Sequence, residues 1–346
     1  MYEKPVTLKD VAEKSDFSLR TVKKVLVGDT TVRPQTRENV LQAARELGYK
    51  KNMIASVLAT NKVWNIAIIV GDFRYFFPEA IKSFKERHKT WSSLKIGIEF
   101  FVVGERSRRT ARDVLADVLQ NDRFDAVIMH ASSMEGLNQE INALLDAGKA
   151  VCTFGADAPG SKRLFFVGPR AYESGRIAAQ ITANYMGGSG CVYVVSQAQD
   201  EMQTLERNRG FRDFIKEKHS AIEVRQIVIE GGSEAYYLKI KEFLQKTEAV
   251  GIVGMDADCY LAGMAARDCG RKDIFMLGFD LTPETERLLE EGYFKVVLSQ
   301  NPELQAEIVL DKLCKYLLYG TPVKNVFTDV TIVTSEVLRY RSNLKE

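Results

Sequence analysis

From Trp64 onward the chain repeats one pattern, a short continuous run of apolar residues followed by an amphipathic stretch. The runs occupy residues 66–70, 96–103, 126–129, 150–154, 190–195, 224–229, 250–253 and 274–278, with Glu99 inside the second and Arg225-Gln226 inside the sixth. A run that is apolar at every position, rather than every second one, suits a strand covered on both faces, which is the condition of a parallel sheet. Residues 78–88, 109–119, 137–147 and 172–186 lie between such runs and carry apolar residues at helical spacing. Strand and helix in alternation predict a doubly wound α/β architecture with right-handed crossovers, in two halves of similar size.

At 346 residues, 45% of them apolar, the chain has material for two or three buried cores. Its net charge is only +2, but the charge is uneven. Residues 1–60 hold eleven Lys and Arg against seven Asp and Glu, a balance of +4, which leaves −2 for the remainder. The basic excess thus falls on a small N-terminal part, where a nucleic-acid footprint needs it. Five cysteines, Cys152, Cys191, Cys259, Cys269 and Cys314, are widely spaced with no CxxC pair, so reduced thiols are expected rather than a disulfide framework or zinc site. There is no apolar leader and no run of about 18 apolar residues, so a soluble cytoplasmic protein is expected.

The N-terminal sixty residues read as three short helices. Thr7 offers a capping oxygen before Leu8, Val11 and Ala12, which share one face. Ser15-Asp16-Phe17 forms a polar break, and Ser18 can cap a second helix over 19–26. Val22, Val25 and Leu26 point that helix inward and leave Arg20, Thr21, Lys23 and Lys24 outward. Pro34, harmless in a first turn, opens a third helix with Val40, Leu41, Ala44 and Leu47 on its core face, and Gly48 ends it.

The series Val6-Thr7-Leu8-Lys9-Asp10-Val11-Ala12, then Thr21-Val22, then Thr36-Arg37 to Leu47-Gly48-Tyr49, then Asn52 to Ala55 and Leu58 resembles the DNA-binding headpiece of the lac repressor (LacI/GalR) family. The resemblance implies a helix-turn-helix over residues 1–51 and a hinge helix and linker over 52–62. Leu19, Arg20 and Lys24 then occupy the positions that choose the operator sequence. Arg20 can grip guanine O6 and N7 together, while Leu19 offers only apolar contact, as to a thymine methyl. Thr7, Ser18, Thr21 and Lys23 suit phosphates, which position without specifying. Lys24 departs from the family's usual Arg and lacks its planar fork. Asn52, Ala55 and Leu58 match the hinge helix, where the leucine wedges into the minor groove and bends the duplex.

The landmarks after Trp64 resemble the same family's effector domain, whose fold is that of type I periplasmic sugar-binding proteins. The implied fold is an all-α headpiece plus a two-lobed α/β effector-binding and dimerisation domain over 63–346. Lobe 1 would hold about 64–167 and 299–328, and lobe 2 about 168–298 and 329–346. Ligand would bind in the cleft, at the carboxyl ends of the strands. By position, Arg74, Phe76, Phe77, His130, Arg207, Asp258, Asp280 and Gln300 are the candidate effector-binding residues. Paired aromatics such as Phe76-Phe77 can equally be core, and a lone histidine such as His130 a satisfied structural residue. Related sugar binders often hold Asn where Arg74, His130 and Ala257 stand, Asp at Gly155 and Asp-Asn at Arg170-Ala171. Arg74, His130 and Arg207 together would admit a carboxylate or phosphate on the ligand.

No Walker A lysine motif, GxSxG elbow or HExxH is present, and neither Cys152 nor Cys259 has a placed histidine base. Gly187-Gly188-Ser189-Gly190 follows a helix and precedes a strand, the reverse of a phosphate cradle. The expectation is a transcriptional regulator, most simply a repressor of carbohydrate-related genes. It would bind a pseudopalindromic operator in double-stranded DNA as a homodimer and answer to a sugar or sugar derivative, anionic ones included. No catalysis, cofactor, metal or membrane contact is expected. The competing reading is a sugar-binding protein or receptor on the same fold without a DNA role.

Overall fold

In the computed structural model, residues 6–26, 29, 31–49, 62–72, 76–104, 107–132, 136–197, 202–246 and 251–343 are described. Asn52, Ala55, Leu58 and Arg74 lie outside them. The chain divides into two compact units, residues 1–62 and 63–346.

The first unit carries α1 (Leu8–Ser15), α2 (Leu19–Leu26) and α3 (Pro34–Glu46). Thr7 closes a capping box on α1, its side chain taking the Asp10 amide while the Asp10 carboxylate takes the Thr7 amide at 2.6 Å. Two orphan donors of the first turn are thereby satisfied. Asp16, at φ 56°, turns the chain out of α1, and Ser18 Oγ accepts the Thr21 amide at 3.2 Å as α2 begins. Gly48, at φ 64°, ends α3, with the Tyr49 amide returning to the Ala44 carbonyl at 2.8 Å. Val11, Val22, Val25, Val40 and Ala44 form the core of this unit, with Phe17, Leu26, Leu47 and Tyr49 packed around them. So small a core leaves little margin, and it works by fixing the angle between α1 and α2.

The second unit runs β1 (Trp64–Gly71), α4 (Phe76–Ser92), β2 (Ile96–Val103), α5 (Ala111–Gln120), β3 (Ala126–Met129), α6 (Asn138–Asp146), β4 (Ala150–Phe154) and β5 (Phe166–Gly168). It continues through α7 (Ala171–Tyr185), β6 (Gly190–Gln197), α8 (Met202–Lys218), β7 (Ile222–Ile229), α9 (Gly232–Lys246), β8 (Gly251–Gly254), α10 (Cys259–Asp268) and β9 (Phe275–Phe279). It ends with α11 (Pro283–Glu290), β10 (Val296–Ser299), α12 (Pro302–Tyr319), β11 (Val326–Phe327), β12 (Thr331–Val333) and α13 (Ser335–Asn343).

Two six-stranded sheets result, in the orders β11-β5-β4-β3-β1-β2 and β12-β10-β9-β8-β6-β7. Every pairing is parallel except that of β12 with β10. β1 is buried on both faces: Ile66, Ile68 and Val70 face α4 and α12, whereas Ala67 and Ile69 face the side of α5 and α6; the edge strands β2 and β7, expected to be covered likewise, are mostly half-buried or exposed because each has a neighbour on one side only. Because β5 leads into α7, β10 into α12 and β11 into β12, the chain passes between the sheets three times, near residues 168–171, 299–302 and 328–331.

Helix α12 is bound to the first sheet's layer through α4, where Asp311 accepts from Arg87 Nε and Trp91 Nε1, each at 2.7 Å. In the second lobe α7 and α8 lie in backbone contact. A Cβ on Gly175 would stand 2.0 Å from the Arg207 carbonyl oxygen, and one on Gly210 would stand 2.0 Å from that of Tyr172. Only glycine fits at both places. Arg176 with Glu217 and Tyr172 with Asp213 close the seam at the surface, at 2.7 and 2.9 Å.

Candidate functional site: a DNA-facing helix and an interlobe cleft

Arg20, Lys23, Thr7 and Ser18 are exposed on the first unit, and Leu19, Thr21 and Lys24 are half-buried. Val22 and Val25 seat α2 on α1 and α3, so the Arg20 and Lys23 face is left to solvent. Lys24 is already engaged, its Nζ lying 3.5 Å from Asp29 Oδ2 and 3.4 Å from Thr31 Oγ1. This exposed pair is weak and could be exchanged for a base edge or phosphate at little cost. Thr31, by side chain and amide, holds the Asp29 carboxyl below its usual range, with Lys24 a lesser cause.

In the second unit the carboxyl ends of the two sheets face each other. Gln203, in the first turn of α8, donates through its amide to the carbonyl of Gly155, just past β4 in the other lobe. Two unlike walls meet there. The first-lobe wall is aromatic: Phe76 stacks on Phe154 with centroids 6.2 Å apart, and His130 packs edge-on against Phe77 at 4.9 Å. Phe77 is 1% exposed and belongs to the core behind the wall, so of the expected aromatic pair only Phe76 is available to a ligand. Gly155, at φ 69°, makes room, since a Cβ there would lie 2.6 Å from the His130 ring and 3.1 Å from Phe76.

His130 is not a cation. Burial in the aromatic wall, with the Arg207 charge adding to it, pushes its pKa down to about 3. A neutral imidazole can still exchange a hydrogen bond with a ligand oxygen, but it brings no charge to an anionic one. The stability this residue contributes is whole above the unfolded value near 6.5 and is lost as pH falls towards 3, since the unfolded chain takes up the proton first. Replacing His130 with Phe should reduce the loss of stability between about pH 7 and pH 4.5, measured by urea unfolding; an unchanged pH dependence would show the imidazole free to titrate.

The second-lobe wall is polar. Arg207, 4% exposed, donates to the Met255 carbonyl at 2.9 Å and to Gln300 Oε1 at 2.7 Å, and its guanidinium lies 4.3 Å from the centre of the Phe279 ring. Gln300 Nε2 donates in turn to Asp280 Oδ1 at 2.7 Å. Burial raises the Asp280 carboxyl, against the pull of Arg207 and Gln300. Asp258 is likewise raised by burial, opposed by a hydrogen bond from Gln197. Arg207, Asp280 and Gln300 thus form one chain, with Asp258 on the neighbouring strand end.

Gln197, Gln203, Asp256 and Phe154 join these walls without having been singled out in the sequence. Gln203 lies four residues before Arg207 on one helix, so helical spacing alone places the two on one face. Gln197, Asp256 and Phe154 follow or end apolar runs, the position where α/β ligand sites gather. Among the described residues no group of His, Cys, Asp and Glu could hold a metal, and no helix is long and apolar enough to cross a membrane.

Residues 66–321 match the family model of the periplasmic binding protein domain, and residues 7–52 match that of bacterial regulatory proteins, lacI family. The chain is 38% identical to catabolite control protein A of Priestia megaterium over 72 residues, which is 21% of this chain and only 22% of that relative. The fold is similar to that of a LacI transcriptional regulator from Bacteroides fragilis, with a TM-score of 0.72 at 18% identity over 81% of this chain and 99% of that one. It is equally similar to a glucose-galactose binding protein from Geobacillus stearothermophilus, with a TM-score of 0.72 at 19% identity over 80% and 99%. A DNA-binding domain of the lacI type thus precedes a periplasmic binding protein domain that fills most of the sequence, and the chain belongs, over that larger part, to the periplasmic binding protein domain family.

Proposed function

We infer that this protein is a sequence-specific, ligand-responsive transcriptional regulator. It acts as a homodimer on a pseudopalindromic operator, as a repressor, and has no enzymatic role. The carrying observation is α2, whose Arg20 and Lys23 face is open while Val22 and Val25 hold it at a fixed angle to α1. One such helix can place two or three side chains on bases, so the reading needs a second copy and a two-fold site. Thr7, Ser18, Thr21 and Lys23 would hold phosphates, Leu19, Arg20 and Lys24 would read bases, and Asn52, Ala55 and Leu58 would supply the minor-groove hinge. Selection of duplexes from a random pool by the full-length protein should enrich a pseudopalindrome; enrichment of a single unrepeated site would refute the dimeric reader.

The cleft is proposed as the effector site, with domain limits of 1–51, 52–62 and 63–346. Its walls favour a neutral sugar or polyol: Phe76 offers a face for ring carbons, and Arg207, Asp258, Asp280 and Gln300 offer donors and acceptors for hydroxyls. The glucose-galactose specificity of one structural neighbour agrees with that chemistry. Among the described groups of the polar wall, Arg207 is the cation and Asp256, Asp258 and Asp280 are carboxylates, which does not favour an anionic effector. In a thermal-shift screen of sugars, sugar phosphates and sugar acids, neutral sugars should raise Tm, and Arg207→Ala should abolish the shift; a full shift in that variant would remove the cleft as the site.

A further inference from the structure

A hydrogen bond spans the cleft from wall to wall. The Gln203 amide, half-buried in the first turn of α8, donates to the carbonyl of Gly155, a buried residue just past β4. The first-lobe end of this bar lies on the aromatic wall, since a Cβ on Gly155 would stand 3.0 Å from His130 Nε2 and 3.1 Å from Phe76 Cζ. That end is also fixed, because the Gly155 amide donates to the Val167 carbonyl at 3.0 Å and so ties the acceptor to β5.

The second-lobe end lies one helical turn from Arg207 on the same face of α8, about 5–6 Å along the axis. The bar therefore stands beside the place where a ring lying on Phe76 would meet the Arg207 guanidinium. Arg207 is bonded in turn to Gln300, which is 5% exposed and precedes Asn301 at the start of α12, where the chain passes between the lobes. The cleft is thus bounded at the hinge by Gln300 and crossed one turn away by Gln203. Beyond the bar α8 turns Met202 and Leu205 to solvent, 66% and 52% exposed.

We propose that Gln203 limits the effector to a single sugar ring. A ring on Phe76 fits between Gln300 and the bar, whereas a second ring joined to it must break the bond from Gln203 to Gly155. Breaking such a bond without replacing it costs roughly five- to hundredfold in affinity. Gln203 is thus a specificity residue, which the longer sugar must displace and the single ring need not. The inference rests on the reading of the cleft as a sugar site and adds the size of the sugar.

The test is isothermal titration calorimetry of the full-length protein with D-glucose and D-galactose, and with maltose, cellobiose, melibiose and lactose, in which those rings carry a second one in α or β linkage. The wild type should bind a monosaccharide about tenfold or more tightly than the disaccharides built on it. Gln203→Ala should bring that preference below about threefold, and alanine, a strong helix former, keeps α8 intact. The ratio is the readout, because a merely structural loss weakens both sugars alike. Leu205→Ala, on the outward face of α8, should keep the wild-type ratio. A wild type that binds a disaccharide as tightly as its monosaccharide, or an unchanged preference in Gln203→Ala, would overturn the size limit and leave the sugar site standing. A ratio relaxed in Leu205→Ala as well would overturn it by assigning the selectivity to the helix and not to the bar. Binding of none of these sugars would remove the sugar reading itself, and the size limit with it.

Discussion

Arg20→Ala should weaken binding to the selected operator by roughly thirty-fold to twenty-five-thousand-fold, since a bidentate base contact is worth about 1–3 kcal/mol and a dimer makes two. The loss should fall on the operator alone, so that operator and scrambled duplex become nearly equal. Lys23→Ala is the contrast, because a bond to phosphate positions without specifying. It should weaken both duplexes alike and flatten the salt dependence by about one unit for each phosphate released. Arg20 is exposed and Val22 and Val25 carry the packing of α2, so neither change should unfold the headpiece. Equal losses on both duplexes for Arg20→Ala, measured by fluorescence anisotropy, would assign it to the backbone and not to base readout.

Gly175→Ala should destabilise the second unit by about 3 kcal/mol, lowering Tm by roughly 6–12 °C. Two effects compete. Alanine gains about 1 kcal/mol of helix propensity over glycine. Its Cβ, however, would lie 2.0 Å from the Arg207 carbonyl oxygen and 2.9 Å from the Arg207 Cα, both backbone atoms that cannot swing aside. The helices must separate, and overpacking wins. Because the atom struck belongs to Arg207, the change should also shift the guanidinium from Met255 and Gln300 and reduce any sugar-induced stabilisation. Scanning calorimetry that found an equal or higher Tm would show that α7 and α8 do not touch as closely as described.

The sequence carried the parts whose physics is local. The Thr7 cap, the Pro34 start and the Gly48 stop each depend on residues within one turn, and all three are realised. The long apolar runs became strands, buried in β1 and only partly so in the edge strands β2 and β7, since an eight-residue strand leaves an unmistakable trace. The four-residue β3 and β8 were still legible as apolar runs, but four other short strands left no trace. β5, β11 and β12 have three, two and three residues, too few for any period, and β10 is a four-residue apolar stretch between a turn and a proline.

In the cleft the residue types were legible but their relations were not. Arg207 and Gln300 are 93 residues apart and bond to each other. A reading by position alone assigns both to a ligand and cannot see that each already has a partner. His130 shows the same limit: its residue type admits a charge, and burial among the rings of Phe76, Phe77 and Phe154, with the Arg207 charge adding to it, disfavours one. Gly155, standing where related sugar binders often hold Asp, gains its reason from the space that His130 and Phe76 occupy.

Two copies of α2 reading one two-fold site is the central claim made for this protein. The measurement that tests it most directly is binding of the full-length protein to the selected pseudopalindrome and to a scrambled duplex of equal composition, between about 50 and 200 mM salt. Both affinities should fall steeply as salt rises, and at each salt concentration the pseudopalindrome should bind about a thousand-fold tighter or more. Equal affinities for the two duplexes across the range would contradict the claim.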